Sequence, residues 1–246
     1  MFGKYTESLL SAFKFSPHQQ DLAKKKYEIV EGVFHFYNIS PDKILFVGFN
    51  PAILAAQGKE LFVTQISDAA LDFLKSQNIK VTNIPEQDLI SFKNQFDAVV
   101  ALDEYFTFAN SDIDQQNKIK LFSSLAKDLV ISTLKDYKNQ DYKEREFSAP
   151  ALIRNGTNKE INIESHDWDL KDRTAWTTTV YQIDQQSNTL STFGPFDRRT
   201  MYFKQLAKFS LDAGAYNFLV HKNLMYKGLT KKNYEHVISI TFNDGL

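Results

Sequence analysis

The chain has 246 residues, 29 Lys plus Arg against 30 Asp plus Glu, no cysteine, and a 43% hydrophobic and 14% aromatic share. That is enough apolar material for one large folded domain, or a core with an elaboration, and it argues against disorder. A formal charge of -1, with no run of one sign beyond Lys24-Lys25-Lys26, disfavours nucleic acid as the main partner, and the lack of cysteine excludes a disulfide framework, a thiolate nucleophile and a cysteine zinc site.

The stretch 1–17 mixes polar with apolar residues and reads as neither a secretory signal nor a membrane span, so a cytoplasmic, membrane-free protein is expected. Apolar spacing predicts two helices, over Tyr5–Phe15 and Leu22–Phe36, broken near Ser16-Pro17, with Lys24-Lys25-Lys26 a solvated helix face. Pro41 marks Tyr37–Lys43 as a connector. Ile44–Val47 is then a short, wholly apolar run ended by Gly48, as a strand covered on both faces requires. Similar runs recur at 61–64, 79–81, 98–101 and 129–132. Helical stretches separate them, one capped by Ser67 and one, from Gln115 to Lys127, by Asp112. Alternation of this kind calls for right-handed crossovers and a doubly wound sheet.

From Asp141 to about Gly194 the rhythm turns polar and β-rich, with antiparallel strands expected around Ile161, Ile163 and Thr177–Ile183. Gly194-Pro195-Phe196 reads as a turn. An amphipathic helix from Arg198 to Ala213, stopped at Gly214, and two strands near Tyr216–His221 and Tyr234–Thr241 complete the chain.

This order, with Ile-Leu-Phe-Val-Gly-Phe-Asn-Pro-Ala at 44–52, Phe-Asp-Ala-Val-Val-Ala-Leu-Asp-Glu-Tyr at 96–105 and Asp-Ala-Gly-Ala-Tyr at 212–216, resembles the Rossmann-like S-adenosylmethionine-dependent methyltransferases. The resemblance implies an α/β three-layer sandwich with a mostly parallel seven-stranded sheet, N-terminal helices and a small antiparallel β insertion. It also implies a helical lid at 1–40, a cofactor-binding domain at 41–140 and 195–246, and a substrate cover at 141–194. S-adenosylmethionine is the implied cofactor and methyl transfer to oxygen or nitrogen of a small-molecule acceptor the implied reaction; a homodimer is the oligomer considered.

By the same resemblance, Gly48, Phe49 and Asn50 form the cofactor turn, where glycine permits close backbone approach and a helix N-terminus favours a carboxylate. Asn50 and Ala52 stand where the family has further glycines; Asn50 is a residue type that tolerates a left-handed conformation. Gln65, beside Ile66, stands where an acidic residue grips the ribose hydroxyls. Asp88-Leu89 matches the adenine-recognising position, and Leu102 and Asp103 close the cofactor list. Tyr5, Glu104, Tyr105, Phe106, Trp168, Trp176 and Arg199 are the implied acceptor contacts, with Tyr181 in the same insertion.

His166, beside Asp167 and Trp168, is the candidate general base or else a surface or hydrogen-bonded histidine. Arg198-Arg199 at a helix start calls for an anionic partner, either a substrate anion or a nearby Asp. The five histidines lack metal-ligand spacing, so no metal is expected. Phe46, Asn50, Pro51 and Gln65 motivate the alternative, a cofactor-impaired relative that binds or scaffolds. An oxidoreductase is disfavoured because Gly-x-Gly-x-x-Gly is absent.

Overall fold

The computed structural model describes residues 1–8, 10, 19–56, 58–139, 143–148, 150–155, 158–227 and 234–245. Two helices open the chain, α1 (Phe2–Ser8) and α2 (Gln19–Phe36); Leu9, Phe13 and the expected break at Ser16-Pro17 lie outside the described residues. The central sheet contains β1 (Lys43–Val47), β2 (Glu60–Thr64), β3 (Thr82–Asn83), β4 (Phe96–Ala101), β5 (Ala126–Lys135), β11 (Asn217–Lys227) and β12 (Tyr234–Thr241) in the order β11-β12-β5-β4-β1-β2-β3. Strands β1 to β5 pair in parallel, and β12 runs antiparallel to both β5 and β11. Ile44, Leu45, Phe46 and Val47 are buried to within 2% because helices cover both faces, which is why β1 has no alternation.

Helices α3 (Asp68–Ser76) and α4 (Asp112–Leu125) fill the crossovers, and α5 (Phe203–Asp212) precedes the final hairpin. A second, five-stranded antiparallel sheet holds β6 (Arg145–Phe147), β7 (Ala151–Asn155), β8 (Asn158–Trp168), β9 (Ala175–Asp184) and β10 (Thr189–Arg199). The α/β sandwich with its antiparallel addition is therefore present as the sequence implied. No helix among the described residues is long and apolar enough to cross a membrane.

Several local expectations change. The third strand lies at Thr82–Asn83 rather than 79–81, because the Ile79 amide is committed to closing α3 on the Leu74 carbonyl (3.1 Å) after a left-handed Asn78. Ser111, not Asp112, caps α4: its hydroxyl accepts from the Asp114 amide at 3.1 Å, leaving Asp112 to pair with Arg199. Arg198 and Arg199 do not begin a helix. They continue β10 in register with Trp176 and Ala175, and α5 starts only at Phe203. Gly194-Pro195 is likewise no turn but a cis peptide inside β10, where the register shifts between Phe193 and Phe196.

Candidate functional site

Loops at the ends of β1, β2, β4 and β5 meet at one rim of the central sheet, where open α/β folds place ligand. Past Val47 the chain turns at Gly48 (φ +71), whose amide donates to the Thr64 carbonyl at 2.8 Å. Asn50 is extended (φ -129, ψ 132), so the left-handed conformation its residue type tolerates is not used there. Its side chain accepts from the Ala52 amide at 3.0 Å and starts a four-residue 3-10 turn, Pro51–Leu54. Pro51, Ala52 and Ile53 are buried under α2. So short a turn, in place of the α-helix the family's pattern implied, has little macrodipole with which to attract a carboxylate.

Left-handed backbone appears instead at Gln65 (φ 51), Asp103 (φ 56) and Glu104 (φ 55). Conformations costing about 1–3 kcal/mol each for such residues persist where the surroundings impose them. At these positions the constraints are visible. Gln65 donates to Tyr105 Oη (3.0 Å) and Glu86 Oε1 (2.9 Å). Asp103 accepts from Lys26 Nζ (3.1 Å) and Asn50 Nδ2 (2.9 Å). Lys26 is 4% exposed, so the solvated-face reading of 24–26 holds for Lys24 and Lys25 only; Lys26 falls on the buried stripe Ala23, Tyr27, Val30, Val33, Phe34 of α2. Leu89 and Leu102 are core residues, Ile66 is half-buried, and Asp88 is exposed on a 3-10 turn, Glu86–Phe92.

Helix α1 lies directly over this corner. A methyl group placed on Gly48 would sit 2.4 Å from the Phe2 ring and 3.3 Å from the Thr6 methyl. One placed on Gly3 would sit 2.5 Å from the Gln65 carbonyl oxygen. The Phe49 amide donates to Thr6 Oγ1 at 3.4 Å. Phe2 packs edge-on against Tyr105 and Phe108, at 4.9 and 4.8 Å. Burying such a ring contributes about 1.5–3 kcal/mol. With α1 in this position the residues present do not fit an adenosyl cofactor: the space over Gly48 and the Phe49 amide already belong to the chain itself.

Between this rim and the second sheet is a charged cluster. Glu104, 3% exposed, receives Lys135 Nζ at 2.7 Å and the Tyr137 hydroxyl, with Arg198 Nη2 at 3.6 Å. Burial opposes its ionisation, but Lys135 and Arg198 outweigh that and lower its pKa. Arg198 lies 3.9 Å from the Phe108 ring centroid and 5.2 Å from Trp176, and donates to Thr107 Oγ1 through Nε (2.8 Å) and Nη2 (2.6 Å). Thr133 joins Glu104 to Glu235, whose carboxyl burial and the neighbouring Glu104 push up to about 8. Glu164, raised chiefly by burial, accepts from Tyr5 Oη at 3.3 Å and lies 3.6 Å from His166 Nε2. His166 Nδ1 is 3.1 Å from Thr178 Oγ1, its directly paired neighbour on β9; burial, then Lys135 and Arg198, lower its pKa to about 3.

The structure thus gathers Tyr5, Glu104, Tyr105, Phe106, Trp168 and Trp176, with the two tryptophan rings stacked at 4.5 Å. It does not gather Arg199, which faces outward and pairs with Asp112 and with Asp172 (3.0 Å). His166 carries no charge at neutral pH and is a weak proton acceptor. Arg198 was expected to meet an anion, though from a helix start; Lys135, Glu164 and Glu235 were missed as site residues. Only register could reveal them, since Glu235 faces Lys135, and Glu164 and His166 share a face of β8. Among the described residues no group of three or more metal-ligating side chains occurs.

The seven-stranded sheet, its helices and the antiparallel addition form a fold shared with solved structures of S-adenosylmethionine-dependent methyltransferases. Solved structures agree over nearly the whole chain. One is a S-adenosylmethionine-dependent methyltransferase from Clostridium acetobutylicum (TM-score 0.66, 11% identity, 89% of this chain and 92% of that one). Another is the sugar N-methyltransferase KedS8 from Streptoalloteichus (0.67, 9%, 89% and 87%). A third is the S-adenosylmethionine-bound amino pentose methyltransferase CalS10 from Micromonospora echinaspora (0.65, 11%, 89% and 90%). No family model and no curated protein sequence matches the chain.

Proposed function

We propose that the chain is a methyltransferase acting on the nitrogen of a small polar amine, and that it takes up S-adenosylmethionine in a conformation with α1 withdrawn. The observation that carries the choice of acceptor is the excess of acid in the cluster. Glu104 pairs directly with Lys135 and Arg198, whereas Glu164 and Glu235, whose pKa values are raised chiefly by burial, make no direct ion pair with a lysine or arginine among the described residues. A protonated amine bound beside them would favour their ionised forms. Its nitrogen must lose a proton before it can attack, and a carboxylate with an elevated pKa is a better acceptor for that proton than an ordinary one. Glu164, which Tyr5 covers while α1 is docked, is the group we assign to take it. Similarity to a sugar N-methyltransferase and an amino pentose methyltransferase supports the same acceptor type.

Incubation with methyl-labelled S-adenosylmethionine and a panel of amino and hydroxyl compounds tests this reading. Label should enter amines and not alcohols. Incorporation confined to alcohols would overturn the acceptor assignment. A second reading, a binding protein without transferase activity, is favoured by the four-residue turn after Asn50 and by Gln65 being tied to Tyr105. It requires that the demethylated cofactor fail to bind at millimolar concentration in calorimetry.

A further inference from the structure

We infer that α1 is an intramolecular occupant of the cofactor corner, so that α1 docked on Gly48 and an adenosyl ligand bound there exclude each other. The inference rests on the methyltransferase reading above. Two glycines, one on each partner, permit an approach that any side chain would block: Gly48 receives the Phe2 ring, and Gly3 lets α1 come down on the Gln65 carbonyl. The polar contacts are replaced as well as the volume. Thr6 Oγ1 accepts from the Phe49 amide, the backbone N–H next to the glycine that an anionic ligand group would otherwise approach. The far side of the helix is held too, by Tyr5 on Glu164 and by Gln182, which donates to the Ser8 carbonyl. Tyr5 and Phe2 both pack on Phe108, against whose ring Arg198 lies, so the plug and the charged cluster share one wall. Withdrawal of α1 would therefore open the cofactor corner and uncover Glu164 in the same movement.

Ligand affinity then carries the cost of undocking the helix, since binding is weakened by the fraction of molecules that have α1 out. Gly3→Ala tests this from the helix side. Alanine is a better helix former than glycine, yet its methyl would meet the Gln65 carbonyl oxygen at 2.5 Å and lift the helix. Phe2→Ala empties the corner directly. Titration of the wild type and both variants with S-adenosylhomocysteine, alongside amide exchange of residues 2–8 without ligand, should show faster exchange in Gly3→Ala and roughly tenfold tighter binding in both variants. Equal affinity in all three proteins overturns the plug and leaves the methyltransferase reading standing. Absence of binding in all three overturns both together.

Discussion

Arg198 joins the two sheets at the level of single atoms. It is 5% exposed, forked onto Thr107, 3.9 Å from the Phe108 ring centroid and close to Glu104. Removing one member of a buried charged set leaves the others less compensated, here Glu104 with Lys135 alone. Arg198→Met should therefore cost about 3 kcal/mol in urea unfolding, and Arg198→Lys should recover only part of it because an ammonium lacks the planar fork. A loss below about 1 kcal/mol for Arg198→Met, the level of an exposed pair, would contradict this placement.

The pH dependence of stability follows from two other residues with opposite signs. Glu235 titrates near 4.3 when unfolded and at about 8 when folded. Between those values the folded state keeps a proton that the unfolded state has lost, so this residue's contribution falls as pH rises and levels off above about 8. His166 titrates near 6.5 unfolded and at about 3 folded. Its contribution is complete above about 6.5 and is lost as pH falls toward 3. Urea midpoints across this range should show the descending limb flattened in Glu235→Gln and the ascending limb flattened in His166→Asn. Unchanged profiles would mean that neither group is buried as described. Neither shift was legible from sequence, because both depend on strand register across residues distant in the chain. Lys26 sits on the apolar stripe of α2, a signal the sequence does carry, but the run it forms with exposed Lys24 and Lys25 masked it.

At the scale of elements, the sequence revealed what local spacing controls and missed what neighbours decide. The apolar runs of β1, β2, β4 and β5 announced a covered parallel sheet. Ile79 and Val81 carry the same apolar signal, yet Ile79 serves the α3 terminus and the strand begins only after Val81. Arg198 and Arg199 suit an amphipathic helix, but pairing with β9 claims them first. The start of α4 can be checked directly. Ser111→Ala should cost about 1 kcal/mol, as loss of a side-chain cap does. Asp112→Ala should cost less, because it removes only an exposed ion pair with Arg199. Equal losses would return the cap to Asp112.

For the whole molecule, the two sheets and α1 converge on the rim formed by Gly48, Gln65 and Asp103. The order β3-β2-β1-β4-β5 places that rim at the strand ends, and this much was readable from Gly48 after an apolar run and from the alternation that follows. The way α1 closes over the rim was not readable. Tyr5 could be expected near an acceptor, but nothing in the order of residues says that Phe2 would seat on Gly48 or Gly3 on Gln65. Those contacts involve positions far apart in sequence and a helix with no basic residue in its last turn and no acidic one in its first.

Hydrogen–deuterium exchange of the wild-type chain, followed by mass spectrometry with and without saturating S-adenosylhomocysteine, reads this arrangement most directly. The account predicts that amides of residues 2–8 exchange faster once the ligand is bound, while those around Gly48 and Gln65 become more protected. Slower exchange in 2–8 on binding would show that α1 clamps over the ligand rather than standing in its place, and would contradict the account.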